Sequence, residues 1–312
     1  MEDLDTWIDA CLRAPLLDDE SLPTLEHHVA VEPNDVRARV QLLVHYWRTG
    51  SHASRHVEHV VWLVDHRPEL DLGPPATITH SEGYARARLA WLAAIDRDPH
   101  RWPILVNASN FFAVADTDLA LDLLRRCVAL HPEVMEWHER IAFLLMLGSD
   151  HSDEAAFVDR AREAANELVI AISLSLDAAR RSQQEVELAN VYFVAGDMER
   201  ASTTARSLLE PHEGDDTRVA AERLHRGHIV LGHIALGAGD ITEAMKHLRA
   251  ATALPDRPRY KPDAKLARAL IDAGEYDAVI EYIEATQKLG WSVVELSAWI
   301  ALRGGVKLHV VS

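Results

Sequence analysis

Histidine is the residue that brings most potential chemistry to this sequence, with 18 copies. His52, His56, His59 and His66 fall within one short stretch, and His56 and His59 share a helical face at i and i+3. Zinc needs neutral imidazoles converging with at least a third ligand at about 2 Å. Glu58 points off the shared face. The run His56-Val57-Glu58-His59 also lacks the spacing by which a zinc-protease helix presents two histidines and a general base. These four therefore read as surface and interface histidines, and His225, His228 and His233 make a weaker version of the same case. No nucleophile elbow, Walker loop or glycine-rich dinucleotide fingerprint occurs. His138 and Glu139 are adjacent, but neighbours on a helix point apart. The sequence thus assigns no catalytic residue, no metal ligand and no cofactor, and the expectation is a protein that is not an enzyme.

Charge narrows the partners. The formal net charge is −17, and ten acids against one arginine lie in residues 1–36, so about half of the excess sits at the N-terminus. Phosphate backbones are repelled by such a balance, which argues against nucleic acid. The N-terminal stretch reads either as a solvated helix or as an acidic arm that docks on a basic surface. Cys11 and Cys127 are the only cysteines, too few for a disulfide framework or a metal knuckle, and they suit a reducing compartment. Met1-Glu2-Asp3-Leu4-Asp5 is acidic where a secretory leader is basic, and no run approaches the length of a membrane span. The expected location is the cytoplasm, away from any membrane.

The elements that would position any site come next. Alanine and leucine dominate the apolar residues while aromatics are few, a composition that favours helix over sheet. Glu32-Pro33, Arg67-Pro68, Asp98-Pro99 and His131-Pro132 recur at steps of 35, 31 and 33 residues. Proline cannot continue a helix interior but fits the start of the next helix, so each marks a helix boundary. Further along, three units superpose on a glycine. Leu188-Ala189 precedes Gly196-Asp197 and Ala201. Leu231-Gly232 precedes Gly239-Asp240, Ala244 and Leu248. Leu266-Ala267 precedes Gly274-Glu275 and Val279. Glycine suits the left-handed residue that ends one helix, and the acid after it can cap the next.

Small residue on a first helix, glycine turn, alanine on a second helix and closing proline: the pattern resembles the tetratricopeptide repeat family. Ala108, Phe111, Ala120, Leu124, Cys127 and Pro132 fit the same register, and Trp137-x-x-Arg140-Ile141 opens the following unit with a tryptophan typical of the family. The resemblance covers most of residues 34–290. It implies an all-α chain, a right-handed superhelical array of antiparallel helix pairs. The expected organisation is an acidic N-terminal helical cap (1–33), N-terminal repeats (34–181) with an irregular unit at 69–82, C-terminal repeats (182–290), and a capping helix and tail (291–312).

The pattern breaks where Gly73-Pro74-Pro75 forbids a regular first helix, although Ala87, Trp91 and Ala94 keep the places of its partner helix. That unit reads as half loop, either a tolerated degenerate repeat or one wall of a groove. Residues 153–181 exceed one standard second helix. The run from Val169 to Leu176 alternates as a strand would, yet Leu168, Val169, Ile172 and Leu176 also fit one helical face, which favours a long or additional helix. Residues 212–217 read as a polar linker, and Val306 to Val311 as a short extended tail.

In the family, first helices line a concave surface that takes peptides or partner helices. By that register the groove side includes Trp102, Ser109 and Phe112, then Asn190 and Phe193, then Arg226 and His233, then Lys261 and Arg268. Arginine, histidine and lysine at these places predict a locally basic groove suited to an acidic peptide. The clamp by which some members hold chaperone tails needs a lysine where Val186 stands, one turn before Asn190, which puts that activity in doubt. The expected function is a protein-interaction scaffold binding a peptide or partner segment. The alternative is an enzyme, or a small-ligand or metal sensor, with a pocket near the irregular 69–82 and 148–181 segments. Self-association stays open through Trp291, Val294 and Trp299.

Overall fold

A computed structural model describes residues 4–18, 20–78, 81–147, 153–211, 216–257 and 262–290. Among them are fifteen α-helices, one short 3-10 turn at Pro74–Ala76 and no strand. The chain divides into two compact units, Met1–Pro132 and Glu133–Ser312. The division falls at one of the proline boundaries and not near 181. Helices on either side of residues 175–177 pack against each other.

The first unit holds α1 (Leu4–Arg13), α2 (Ser21–Val31), α3 (Val36–Thr49), α4 (Ala53–His66), α5 (Ser81–Arg97), α6 (Trp102–Phe112) and α7 (Thr117–Leu130). From α3 onward each helix packs on the next. The N-terminal segment is not a free arm. Helices α1 and α2 lie against α3, where Val29 meets Ala38, Leu42 and Tyr46, with Leu17, Leu22 and Leu25 around them. The segment after α4 is the predicted half loop, and two side chains pin it. Asn107 Nδ2 donates to the carbonyls of Pro68 (3.0 Å) and Leu70 (2.9 Å), and His56 Nε2 donates to Pro75 O (2.7 Å).

The second unit holds α8 (Met135–Leu147), α9 (Glu154–Leu174), α10 (Ala178–Val194), α11 (Met198–Ser207), α12 (Thr217–Gly237), α13 (Ile241–Ala250), α14 (Lys265–Asp272) and α15 (Tyr276–Lys288). Consecutive helices pair, and α10 also packs on α12, and α12 on α14. Helices α10, α12 and α14 lie side by side, with α11, α13 and α15 packed on them, and α8 meets α10 through Glu139 with Arg180 and Gln184. The glycine turns make this repeat. Gly196, Gly239 and Gly274 adopt φ of 77°, 81° and 88°. The next residue's N–H then returns to the carbonyl five residues back, as in Asp197 to Tyr192 at 3.0 Å. This satisfies carbonyls that a helix end leaves open. Asp197 and Asp240 then cap α11 and α13 through their carboxylates, as Asp153, Asp177 and Asp216 cap α9, α10 and α12. Part of the acidity of the chain is therefore cap chemistry.

Small residues set the spacing between layers. Ala189, Ala201, Ala205, Ala244 and Ala267 are fully buried, and Leu208, Leu248 and Tyr282 fill the space they leave. Helix α9 runs unbroken for 21 residues, so Val169 to Leu174 are helical. Its buried face is Ala161, Ala164, Ala165, Leu168 and Ala171, whereas Val169 is half exposed and Leu176, beyond the helix, lies in solvent. The face expected from Leu168, Val169, Ile172 and Leu176 is thus about one residue out of register, because small alanines rather than large aliphatics make the close contact with α8 and α10. The predicted C-terminal cap with Trp291, Val294 and Trp299, the tail, and most of the 212–217 linker lie outside the described residues.

Candidate functional site

The expected groove residues divide between the two units. In the first, Trp102 opens α6 and is 45% exposed. Ser109 and Phe112 are both fully buried, a correction to their placement on a groove. Helix α6 is packed between α5 and α7, so those positions face neighbouring helices. Ser109 Oγ donates to Val106 O at 2.8 Å, and the Phe112 ring sits edge-on to Phe111.

In the second unit the structure brings several predicted residues together. Phe193 on α10 lies 5.3 Å from the His233 ring on α12, and Asn190 is half-buried one turn earlier on α10. Burial holds the His233 imidazole below its ordinary pKa, with Lys265 acting the same way. Arg268 is half-buried on α14, and Lys261 lies outside the described residues. Val186, the position compared with a clamp lysine, is buried.

Part of the charge expected of a basic groove is already matched, since Arg226 has acidic partners. Arg226 is ion-paired to Glu222 (3.0 Å) and Asp263 (3.1 Å), whose side chains are 13% and 11% exposed. Arg180 is bracketed in the same way by Glu136 (3.0 Å) and by Glu139, which Gln184 Nε2 also approaches. Each cation faces two carboxylates, so neither offers spare positive charge to a ligand. With Glu187 nearby, carboxylates outnumber cations between α8 and α10, whereas the space between α10 and α12 is lined by three arginines and three acids.

Sequence reasoning missed the residues that border the open clefts of this wall. A cleft of about 410 Å³ between α8 and α10 is lined by Glu139, Phe143, Met146, Leu168, Glu187 and Val191. A second, of about 480 Å³ between α10 and α12, is lined in part by Gln183, Val186, Arg218, Val219 and Glu222. Phe143 is 63% exposed. Its register was available: Glu139, Phe143 and Met146 follow i, i+4, i+7 on the side of α8 opposite the buried Trp137, Ile141 and Leu144.

The histidines serve packing. His59 stacks on Tyr46, and His66 stacks on Trp62 at 4.1 Å. His225 donates from Nδ1 to Ala251 O and accepts the Asp263 N–H at Nε2, so both ring nitrogens are used. Among the described residues no three histidine, cysteine or carboxylate groups gather as metal ligands. No described helix is long and apolar enough to cross a membrane.

This arrangement defines an all-helical protein of consecutive helix pairs. No protein-family model matches the chain, and neither does any curated protein. Solved structures do. One is the human IFIT1 dimer with PPP-AAAA, at 13% identity and a TM-score of 0.39, covering 88% of this chain and 69% of that one.

Proposed function

We propose that this protein is a non-catalytic binding scaffold whose second unit receives a segment of a partner protein along the α8–α10–α12 layer. The carrying observation is Phe143, a large aromatic left 63% exposed at the edge of a cleft, beside Met146 and Val191. An exposed aromatic on a preformed, partly apolar cleft is the kind of feature on which interface energy concentrates. The bordering carboxylates Glu139 and Glu187 outnumber Arg180, the cation on this cleft. The partner segment therefore carries an apolar side chain for the cleft and lysine or arginine beside it, not the acidic character that residue types alone suggested. The free, buried cysteines suit work in a reducing compartment.

Selection of peptides from a random displayed library on the full-length protein tests this. The enriched peptides should combine an apolar anchor with a flanking base, lose at least about tenfold in affinity on Phe143→Ser, and weaken on Glu187→Lys. Acidic consensus peptides, or peptides that bind Phe143→Ser as well as wild type, would refute it.

A further inference from the structure

The sequence that follows α15 has the chemistry that the α8–α10 cleft asks for. Residues 296–312 carry Arg303 and Lys307 and no acid, within a chain of net charge −17. Val306, Leu308 and Val310 alternate with Lys307 and His309. In an extended backbone such alternation sends the three aliphatics to one side and the base to the other. The cleft is their complement. Phe143, Met146 and Val191 offer it apolar surface, and Glu187 lines it too. Glu187 is exposed and makes no ion pair among the described residues, although its charge reaches Arg226.

The described chain also ends beside this wall. A Cβ on Gly290 would lie 3.5 Å from Arg257 Nη1. The neighbouring Asp256 meets Arg218 at 3.7 Å and accepts from Thr217 Oγ1 at 3.2 Å, both in the first turn of α12. Arg218 lines the α10–α12 cleft, which shares Arg180 and Gln183 with the α8–α10 cleft. The way from Gly290 to the α8–α10 cleft is therefore about two helix spacings, roughly 20 Å. Residues 291–305 separate Gly290 from Val306. That length covers about 50 Å extended and about 22 Å even as helix. We propose that residues 303–312 dock in the α8–α10 cleft of their own chain, with Val306 and Leu308 against Phe143 and with Lys307 turned out to Glu187. The scaffold is then self-blocked until a partner segment displaces them. This rests on the reading of that cleft as the docking site. A short tether holds such a segment at an effective concentration of about a millimolar, so a weak contact suffices to keep the cleft occupied.

The probe is a fluorescein-labelled peptide of residues 303–312, titrated by anisotropy into full-length proteins whose circular dichroism matches wild type. The double variant Lys307→Glu with Leu308→Ser, which disables the tail, should bind the probe at least about tenfold tighter than wild type does. In that background Phe143→Ser should abolish binding and Glu187→Lys should weaken it. A probe carrying Lys307→Glu should regain affinity for the Glu187→Lys protein. Wild type should sediment as a monomer. Equal affinity of the probe for wild type and the tail variant overturns the proposal, as does absence of binding to the tail variant, or binding that survives Phe143→Ser. A wild-type dimer that the tail substitutions dissociate would put the tail in the cleft of a second copy and overturn docking within one chain. Library-selected peptides that lose affinity on Phe143→Ser while this probe fails would sink the tail alone and leave the scaffold reading standing.

Discussion

Three glycines of α12 offer a graded test of how closely the layers approach. A Cβ on Gly227 would sit 2.9 Å from the backbone oxygen of Ala205 on α11, 3.0 Å from Leu209 Cδ2 and 3.2 Å from Leu208 Cβ. A carbonyl cannot rotate away, and Ala205 and Leu208 are fully buried, so α11 itself must shift. Overpacking of this kind costs about 1–3 kcal/mol. Alanine returns roughly 1 kcal/mol of helix propensity over glycine. The net for Gly227→Ala is therefore a loss of up to about 2 kcal/mol. At Gly232 the nearest atom is Leu266 Cδ2 at 2.3 Å, a side-chain end that can move, with His247 Cβ at 3.2 Å. Leu266 is itself buried, so Gly232→Ala should fall between neutral and about 1 kcal/mol destabilising. Gly237 meets nothing within 4 Å, and Gly237→Ala should stabilise by a few tenths of a kcal/mol. Urea unfolding followed by far-UV circular dichroism reads all three. Equal shifts for the series, or a Gly227→Ala protein more stable than wild type, would show that the α11–α12 contact is looser than described.

Other expectations follow from the charges. Burial lowers the pKa of His225, and lowers that of His228 to about 4, so the unfolded chain takes up protons first as pH falls. Stability is intact above about pH 6.5 and declines toward pH 4, and His228→Leu should flatten that slope in pH-dependent urea unfolding. Arg226→Ala strands Glu222 and Asp263 and should cost about 3 kcal/mol, whereas a solvated groove arginine would cost almost nothing; thermal melts distinguish the two. With a net charge of −17, a single-stranded RNA oligonucleotide should show no salt-dependent binding in fluorescence anisotropy at low ionic strength, and micromolar binding would contradict the charge argument.

The helical fold was legible because its signals are local. Gly196, Gly239 and Gly274 sit where a left-handed turn must end a helix, and the acid after each caps or opens the next. The loop at Gly73-Pro74-Pro75 was equally plain, since two prolines remove donors and fix φ. Helix faces were harder. Ser109 and Phe112 were assigned to a groove by analogy of register, but α6 has neighbours on both sides, which no local pattern reveals. The α9 face was misplaced because alanine carries little hydrophobic signal although it makes the closest contacts.

The candidate wall shows why residue type is a poor guide to charge at a surface. Arg226 and Asp263 stand 37 residues apart, and Arg180 and Glu139 41 apart, so nothing in the linear sequence announces that they meet. Residue types at Arg226, His233, Lys261 and Arg268 predict a basic groove; the two carboxylates paired with Arg226 cancel its share of that charge. The same logic gives Phe143 its weight. In the proposed function, a side chain whose burial is not demanded by its own helix pair, bordered by carboxylates in excess of cations, marks a site by what it lacks: an apolar cover and positive charge, both of which a partner segment can bring.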